Sequence, residues 1–174
     1  VICDNPGPFT YTGTTTFIVG NGVVAIIDPG PNNDSHLDAI IAALDPSEVV
    51  SHILVTHTHS DHSPLANALK ERTGAKICGF AGINNDRTRN KSQIDTKVAI
   101  EDANFVEMEE AIQRDFIPDI PLQHQDIING PDWTLEAIYT PGHISNHLCF
   151  LLHEEKTMFS GDHVMGWATS VIVP

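Results

Sequence analysis

The sequence is poor in cysteine, and it has no apolar run long enough to cross a membrane. Three cysteines, an odd number with no close pair, argue against both a disulfide framework and a cysteine-based zinc site. No run approaches the roughly 18 apolar residues that span a bilayer, so we expect no membrane segment and no membrane partner. These features indicate a reducing, cytoplasmic location.

Positive charge is also scarce, since 9 lysine and arginine residues are set against 23 aspartate and glutamate residues, a formal net charge of −14. This balance disfavours the basic surface with which nucleic-acid-binding proteins neutralise phosphates. Otherwise the 174 residues, 41% of them hydrophobic, have the composition of one globular domain. The sequence has no initiator Met and ends on an apolar stretch, 170–174, from which we expect a fragment of a longer protein.

Short strands and helices alternate along the first 80 residues and predict an α/β fold in one domain, 1–174. Apolar and β-branched runs bounded by turn residues predict strands at 14–19, 23–28, 52–56, 76–79, 135–139, 148–152 and 157–159. Apolar residues at helical spacing predict helices at 36–44 and 64–72. Right-handed crossovers would place the loop after the 52–56 strand at the carboxyl edge of the sheet.

Residues 84–126 differ from the rest of the chain. The segment is polar at first, then has a helical pattern from 97 to 114, and then contains two prolines. It is too long for an ordinary connection, and such segments are either lids over a functional site or simply mobile. We predict an acidic insertion or lid over 84–126.

Three strand ends carry side chains that bind metals. Residues 57–62 read His-Thr-His-Ser-Asp-His directly after an apolar strand, and imidazole and carboxylate groups are usual zinc ligands. Alternate positions of an extended loop direct His57 and His59 to one side, so Asp61 and His62 can face a second ion. His143, in Thr-Pro-Gly-His, and Asp162, in Ser-Gly-Asp, follow two later strands.

These motifs resemble the metallo-β-lactamase superfamily, in which His-X-His-X-Asp-His, a later Gly-His and a bridging Asp occur in this order. The resemblance implies an αβ/βα four-layer sandwich whose second half is incomplete here. It also implies a distal histidine ligand, for which this chain has no candidate. The implied ligands are His57, His59 and His143 for one ion, Asp61 and His62 for a second, and Asp162 as the bridge.

The beginning of the chain, Asn-Pro-Gly-Pro-Phe-Thr at 5–10 with Gly-Thr at 13–14, is similar to a β-lactamase-like subgroup that includes a mitochondrial endoribonuclease. Two stretches depart from the family pattern. Ser63-Pro64 replaces the common Gly-Gly, and Thr15-Thr16-Phe17 departs from the usual Thr-Asn-Thr-Tyr. These differences concern the loop shape and the pocket edge, not the metal ligands.

The resemblance implies a hydrolase in which two divalent ions activate a bridging hydroxide, zinc by preference, with iron or manganese as alternatives. The expected substrate is a small ester, thioester, lactone or amide-like molecule. Asp61 is the expected catalytic residue, which orients the hydroxide and returns its proton to the leaving group. Three alternatives stand beside this: an RNA phosphodiesterase (endoribonuclease), an iron-dependent thiol or persulfide oxygenase using His57, His143 and Asp162, and an inactive fragment. The sequence leaves homo-oligomerisation open.

Several other polar and aromatic residues have two interpretations. Asp28 has two interpretations. It either forms a hydrogen bond to a ligand histidine or to the loop of that histidine, a contact that metal sites usually need, or it only stabilises a turn. His147 either orients a ligand or touches the substrate, or is an ordinary structural histidine. Trp133 and Trp167 either line a pocket or, as we expect, fill the core. A structural role is also expected for four isolated histidines: His36, His52, His124 and His153.

Overall fold

The computed structural model describes residues 1–80 and 112–172, and within them the strands form two stacked sheets with two helices on one side. The first sheet has the order β1 (Phe17–Val19), β2 (Val23–Ile27), β3 (Val49–Val55), β4 (Lys76–Gly79) and β5 (Ile120–Pro121). The second has the order β6 (Ile127–Asn129), β7 (Thr134–Tyr139), β8 (Leu148–Leu152) and β9 (Thr157–Phe159). The helices are α1 (Asp34–Ala43) and α2 (Ala66–Thr73).

The first sheet places the ends of its strands at a common edge. β1 and β2 form an antiparallel hairpin, whereas β2, β3, β4 and β5 run parallel. Helix α1 connects β2 to β3, and α2 connects β3 to β4, so the loops after β2 and β3 lie side by side at the carboxyl edge. The predicted location of the 57–62 loop is therefore confirmed.

The core has two layers because successive strand residues point to opposite faces of a sheet. Ile26 and Ile53 pack with the buried faces of α1 and α2, while their neighbours Ile27 and Leu54 face the second sheet. The interface between the sheets also contains Trp133, whose indole N–H donates to the carbonyl of Val23 at 2.8 Å. The described chain thus forms three layers, helix, sheet and sheet, and confirms the α/β prediction.

The strand predicted for 14–19 begins only at Phe17. Residues before it bond the amino-terminal segment, since Cys3 N–H donates to the carbonyl of Thr14 and Thr16 N–H donates to that of Val1. Neither helix in the described ranges is long and apolar enough to cross a bilayer.

The predicted insertion, 84–126, lies outside the described residues as far as 111 and stays a prediction there. Of the helix predicted for 97–114, only 112–114 are described, and they are not helical, because Ile112 forms a β-bridge with His59. Further along, β5 joins the first sheet beside β4. The end of this segment is therefore part of the sheet.

Candidate metal centre

Three segments meet where the two sheets come together. The first is the 57–62 loop after β3, the second is the turn between β7 and β8, and the third is a 3-10 helix, Gly161–His163, that follows β9. The first sheet supplies four of the six predicted ligands and the second sheet supplies two. All six are brought together.

The first group of donor atoms consists mainly of imidazole nitrogens. His59 Nδ1 lies 2.9 Å from His57 Nε2 and 2.8 Å from His143 Nε2. Asp162 Oδ2 lies 3.5 Å from His143 Nε2. One donor atom from each of these four residues lies within 4.8 Å of the others, in an arrangement that could hold a metal ion.

The second group is rich in carboxylates. His62 Nε2 lies 3.3 Å from Asp61 Oδ2 and 3.4 Å from Asp162 Oδ1. The two oxygens of Asp162 therefore face different groups, Oδ1 toward His62 and Oδ2 toward His143. Asp162 lies between the groups, where the resemblance places a bridging ligand.

The chemistry of these donors suits divalent cations. Tetrahedral zinc, with bonds of about 2.0–2.1 Å, places its donor atoms about 3.3 Å apart. The contacts to carboxylate oxygens here are 3.3–3.5 Å, whereas the imidazole nitrogens of the first group are 2.8–2.9 Å apart and would have to separate slightly around an ion. The other oxygen of Asp61, Oδ1, is buried and has no hydrogen-bond partner within the described ranges. A buried carboxylate oxygen without a donor is costly, and a cation would satisfy it.

Charge differs between the two groups. Burial lowers the pKa of His57 well below its ordinary value, and burial together with the neighbouring His143 lowers the pKa of His59 to about 4. Burial also opposes a charge on His62, but Asp28, Asp162 and Asp61 together hold the pKa of its imidazole well above the ordinary value. His57 and His59 therefore offer neutral imidazoles, whereas a metal at the second group must displace a proton from His62.

Asp28, at the end of β2, orients the second group. Its Oδ1 accepts from the backbone N–H of Thr56 at 2.8 Å, and its Oδ2 accepts from Thr56 Oγ1 at 2.8 Å and from His62 Nδ1 at 2.9 Å. Because a carboxylate only accepts, Nδ1 of His62 carries a hydrogen and Nε2 points toward Asp61 and Asp162. Of the two interpretations of Asp28, the hydrogen bond to a loop histidine is the one observed.

Thr56 connects Asp28 to the first donor group through its hydroxyl. Its hydroxyl donates to Asp28, so its oxygen accepts from Nδ1 of His57 at 3.0 Å, which leaves His57 Nε2 for the donor cluster. One carboxylate thereby sets the tautomer of a histidine in each group. Sequence reasoning missed Thr56, although its position directly before His-X-His was a signal that could have identified it.

His147 contacts two of the predicted ligands, His57 and Asp162. Its ring stacks on His57 with centroids 4.9 Å apart, its Nδ1 bonds Thr140 Oγ1, and its Nε2 accepts from the backbone N–H of Asp162 at 3.2 Å. Burial lowers the pKa of His147 to about 3, so the ring is a neutral acceptor. A Cβ on Gly161, where φ is +47°, would come within 2.8 Å of His147 Nε2, so this turn requires glycine.

The remaining predicted side chains divide between core and surface. His36 is buried and bonds Thr16 Oγ1 at 2.9 Å through Nε2, in keeping with a structural role. Trp133 is buried, as expected. Trp167 is 49% exposed and stacks on Tyr11, so the core prediction for Trp167 is wrong.

Comparisons of the sequence and of the fold identify similar proteins. Residues 10–170 match the metallo-beta-lactamase superfamily (Lactamase_B). An atrochrysone carboxyl ACP thioesterase from Cryptosporiopsis sp. (strain 8999) is 34% identical over 99% of this chain and 45% of its own length. Another, from Aspergillus terreus (strain NIH 2624 / FGSC A1156), is 32% identical over 99% and 45%.

The chain thus spans a little under half the length of the curated relatives it matches. A solved metallo-beta-lactamase family protein from Thermus thermophilus superposes with a TM-score of 0.62 at 23% identity, covering 90% of this chain and 56% of that one. That likeness supports the fold, and the match over 10–170 establishes the family. The chain belongs to the metallo-beta-lactamase superfamily.

Proposed function

We propose that this protein is a metal-dependent hydrolase that acts on thioesters. The observation that carries the proposal is the convergence of two donor groups on the two oxygens of Asp162. The thioester part is supported by the relatives that are named thioesterases. The net charge of −14 disfavours RNA as the substrate.

The six residues would hold two divalent ions. Zinc suits the mixture of imidazole and carboxylate donors, and manganese and iron are the alternatives. Ions in such a site supply Lewis acidity, which activates water and polarises a carbonyl or phosphoryl oxygen. The assignment is His57, His59 and His143 to one ion, Asp61 and His62 to the other, and Asp162 to both.

Asp61 is the residue that we place at the reacting atoms. Its Oδ2 lies 3.3 Å from His62 Nε2, and the hydroxyl of Thr14 donates to it at 3.4 Å, while Oδ1 has no donor in the described chain. A carboxylate fixed at Oδ2 in this way would present Oδ1 to an ion and can orient the attacking water beside it. Asn5 bonds Thr14 through both its amide nitrogen and its amide oxygen and so holds this hydroxyl in place.

The leaving group also favours a thioester over an amide. A nearby cation lowers the pKa of a carboxyl group, so the group is rarely protonated and is seldom able to give a proton to a departing amine. A thiol has a pKa near 8.5 and leaves as a thiolate with little protonation. The chemistry available at Asp61 is therefore adequate for a thioester.

The test combines metal analysis with thioester hydrolysis by the purified protein. Metal content is measured by plasma mass spectrometry after supplementation with zinc, manganese or iron, and hydrolysis of acyl-N-acetylcysteamine thioesters is followed by thiol release. We expect about two ions per chain and hydrolysis that His143→Ala abolishes. His153→Ala is the control, because His153 is an exposed histidine that bonds Glu136. This variant should keep both the bound metal and the hydrolysis.

Each other outcome overturns the proposal in a distinct way. Metal binding without thioester turnover would remove the thioesterase function, and RNA cleavage by the same protein would replace it. Iron binding with oxygen consumption in the presence of a thiol or persulfide would point to the oxygenase. Hydrolysis that survives in His143→Ala would show that the catalytic centre lies elsewhere.

A further inference from the structure

A cavity of about 280 Å³ opens beside the second donor group. Its polar end is formed by Asp61, His62 and Asp162, and no lysine or arginine lines it within the described parts of the chain. Six apolar side chains from β1, β9 and the segments flanking them also line the cavity and are called its apolar wall here: Phe9, Phe17, Met158, Phe159, Val164 and Trp167.

Three aromatic side chains of the apolar wall belong to ring pairs: Phe17, Phe159 and Trp167. Phe17 and Phe159 lie with ring centroids 4.9 Å apart and planes tilted by 58°, and Tyr11 stacks on Trp167 at 5.9 Å. Phe17 is 41% exposed and Trp167 is 49% exposed. Contiguous exposed apolar surface next to a polar site is typical of a ligand-binding surface.

We infer that this cavity binds the acyl group of the substrate and selects an uncharged, apolar acyl group, with an aromatic ring preferred. The inference rests on the proposed function, because it places the reacting carbonyl at the polar end and the hydrocarbon along the wall. Edge-to-face and offset ring contacts add to burial for an aromatic group. With the carbonyl at the polar end, a negatively charged acyl group would place its charge along the apolar wall, where no lysine or arginine of the described chain compensates it.

The first arm of the test uses the unaltered protein and a series of N-acetylcysteamine thioesters. Each methylene buried on the wall should raise kcat/KM about fourfold from acetyl to butyryl and hexanoyl. Phenylacetyl should exceed cyclohexylacetyl, which has the same carbon count, by about two- to tenfold. Succinyl should be hydrolysed more slowly than butyryl. Rates that are independent of chain length, or a preference for succinyl, would overturn the inference.

The second arm uses variants. Phe17→Ala should lower the ratio of kcat/KM for phenylacetyl over acetyl by about tenfold, and Phe17→Leu should lower it less, because burial of a large side chain contributes on this scale. Ile127→Ala is the matched control, since Ile127 is 46% exposed on β6 and does not line the cavity. It should leave the ratio unchanged. An unchanged ratio in Phe17→Ala, with a thermal unfolding curve like that of the parent, would contradict the assignment.

A third arm measures binding without catalysis. Trp167 lines the cavity, so phenylacetate added to the zinc-loaded protein should shift its fluorescence, and acetate should not. Trp167→Phe identifies the signal, because Trp133 is buried in the core. Binding of phenylacetate without turnover of any thioester would leave the cavity assignment standing and reject the hydrolase. Turnover of thioesters without any preference among acyl groups would support the hydrolase and reject the cavity assignment.

Discussion

Replacement of Asp28 by asparagine should weaken metal binding at both donor groups. The backbone N–H of Thr56 can only donate, so the amide oxygen of asparagine takes that bond and the NH₂ group takes the position of Oδ2. There it faces Thr56 Oγ1 and His62 Nδ1, which now have to accept. His62 then carries its hydrogen on Nε2, the atom that points to Asp61 and Asp162.

The effect also reaches the first group. When the Thr56 hydroxyl accepts from the new amide, it donates to Nδ1 of His57, and His57 too is left with its hydrogen on Nε2. Loss of one orienting partner of a metal-binding histidine typically costs about 10- to 100-fold in metal affinity. Because two histidines change tautomer, we expect a loss of about 100-fold, or about 2.7 kcal/mol.

A competitive titration of zinc against a chromophoric chelator measures this loss. Unfolding by urea in the presence of a strong chelator separately measures the cost of the lost charged hydrogen bond, about 1.5–3 kcal/mol. Asp38→Asn is the matched control, because the Asp38 side chain is 72% exposed and lies 3.7 Å from Arg72. Wild-type zinc affinity in Asp28→Asn would refute the argument that this carboxylate sets the tautomers.

Three further predictions concern stability and reactivity. Hydrogen bonds from Lys70 and a backbone N–H lower the pKa of the partly exposed Asp119 carboxyl, so its stabilisation is present above about pH 4 and is lost as the pH falls through the folded-state pKa. Asp119→Asn should lower the free energy of unfolding by about 1 kcal/mol at pH 7. The difference between parent and variant, measured by urea unfolding, should become smaller toward pH 3, and a difference that does not depend on pH would contradict this prediction. Gly130→Ala should lower the free energy of unfolding, measured by thermal unfolding, by about 1–3 kcal/mol, because the new Cβ would lie 2.1 Å from the Trp133 ring. Gly142→Ala should lower it far less, because no atom lies within 4 Å of a Cβ at that position. All three cysteines are buried with raised pKa values, so a chromogenic disulfide reagent should react slowly with the native protein and titrate three thiols after denaturation; rapid native reaction would argue against this packing.

Short strands bracketed by turn residues were well predicted from sequence. The bounds of β4, β8 and β9 agree with the prediction, because turn residues lie close to these short runs, among them Gly74, Glu154-Glu155 and Gly161. Helix α1 was predicted to begin at His36 but begins at Asp34, because the Asn33 side chain accepts from the N–H of His36 and caps the first turn. The pairing of β5 with β4 could not be predicted, since two residues carry no periodic pattern.

For the site, the sequence identified the residues that come together but not how they are oriented. The spacing in 57–62 and the two later motifs pointed to all six side chains, whose assignment as ligands stays a prediction. The contact between Thr56 and Asp28 joins residues 28 positions apart, so the sequence suggests a partner for Asp28 in or near the loop but not which residue it is. Trp167 illustrates the same limit, because composition favours a core tryptophan and only the fold shows that this one borders a cavity.

The position of the site between two sheets has a consequence for folding. His59 and His143 are in contact although they are 84 positions apart, and each belongs to a loop of a different sheet. A folding intermediate that had formed only the first sheet would contain the 57–62 loop but no closed site, because contacts between distant positions require loop closure. Tight metal uptake would therefore report the moment at which the sheets dock, and a stopped-flow refolding experiment with a zinc-sensitive dye could time that step separately from the formation of either sheet.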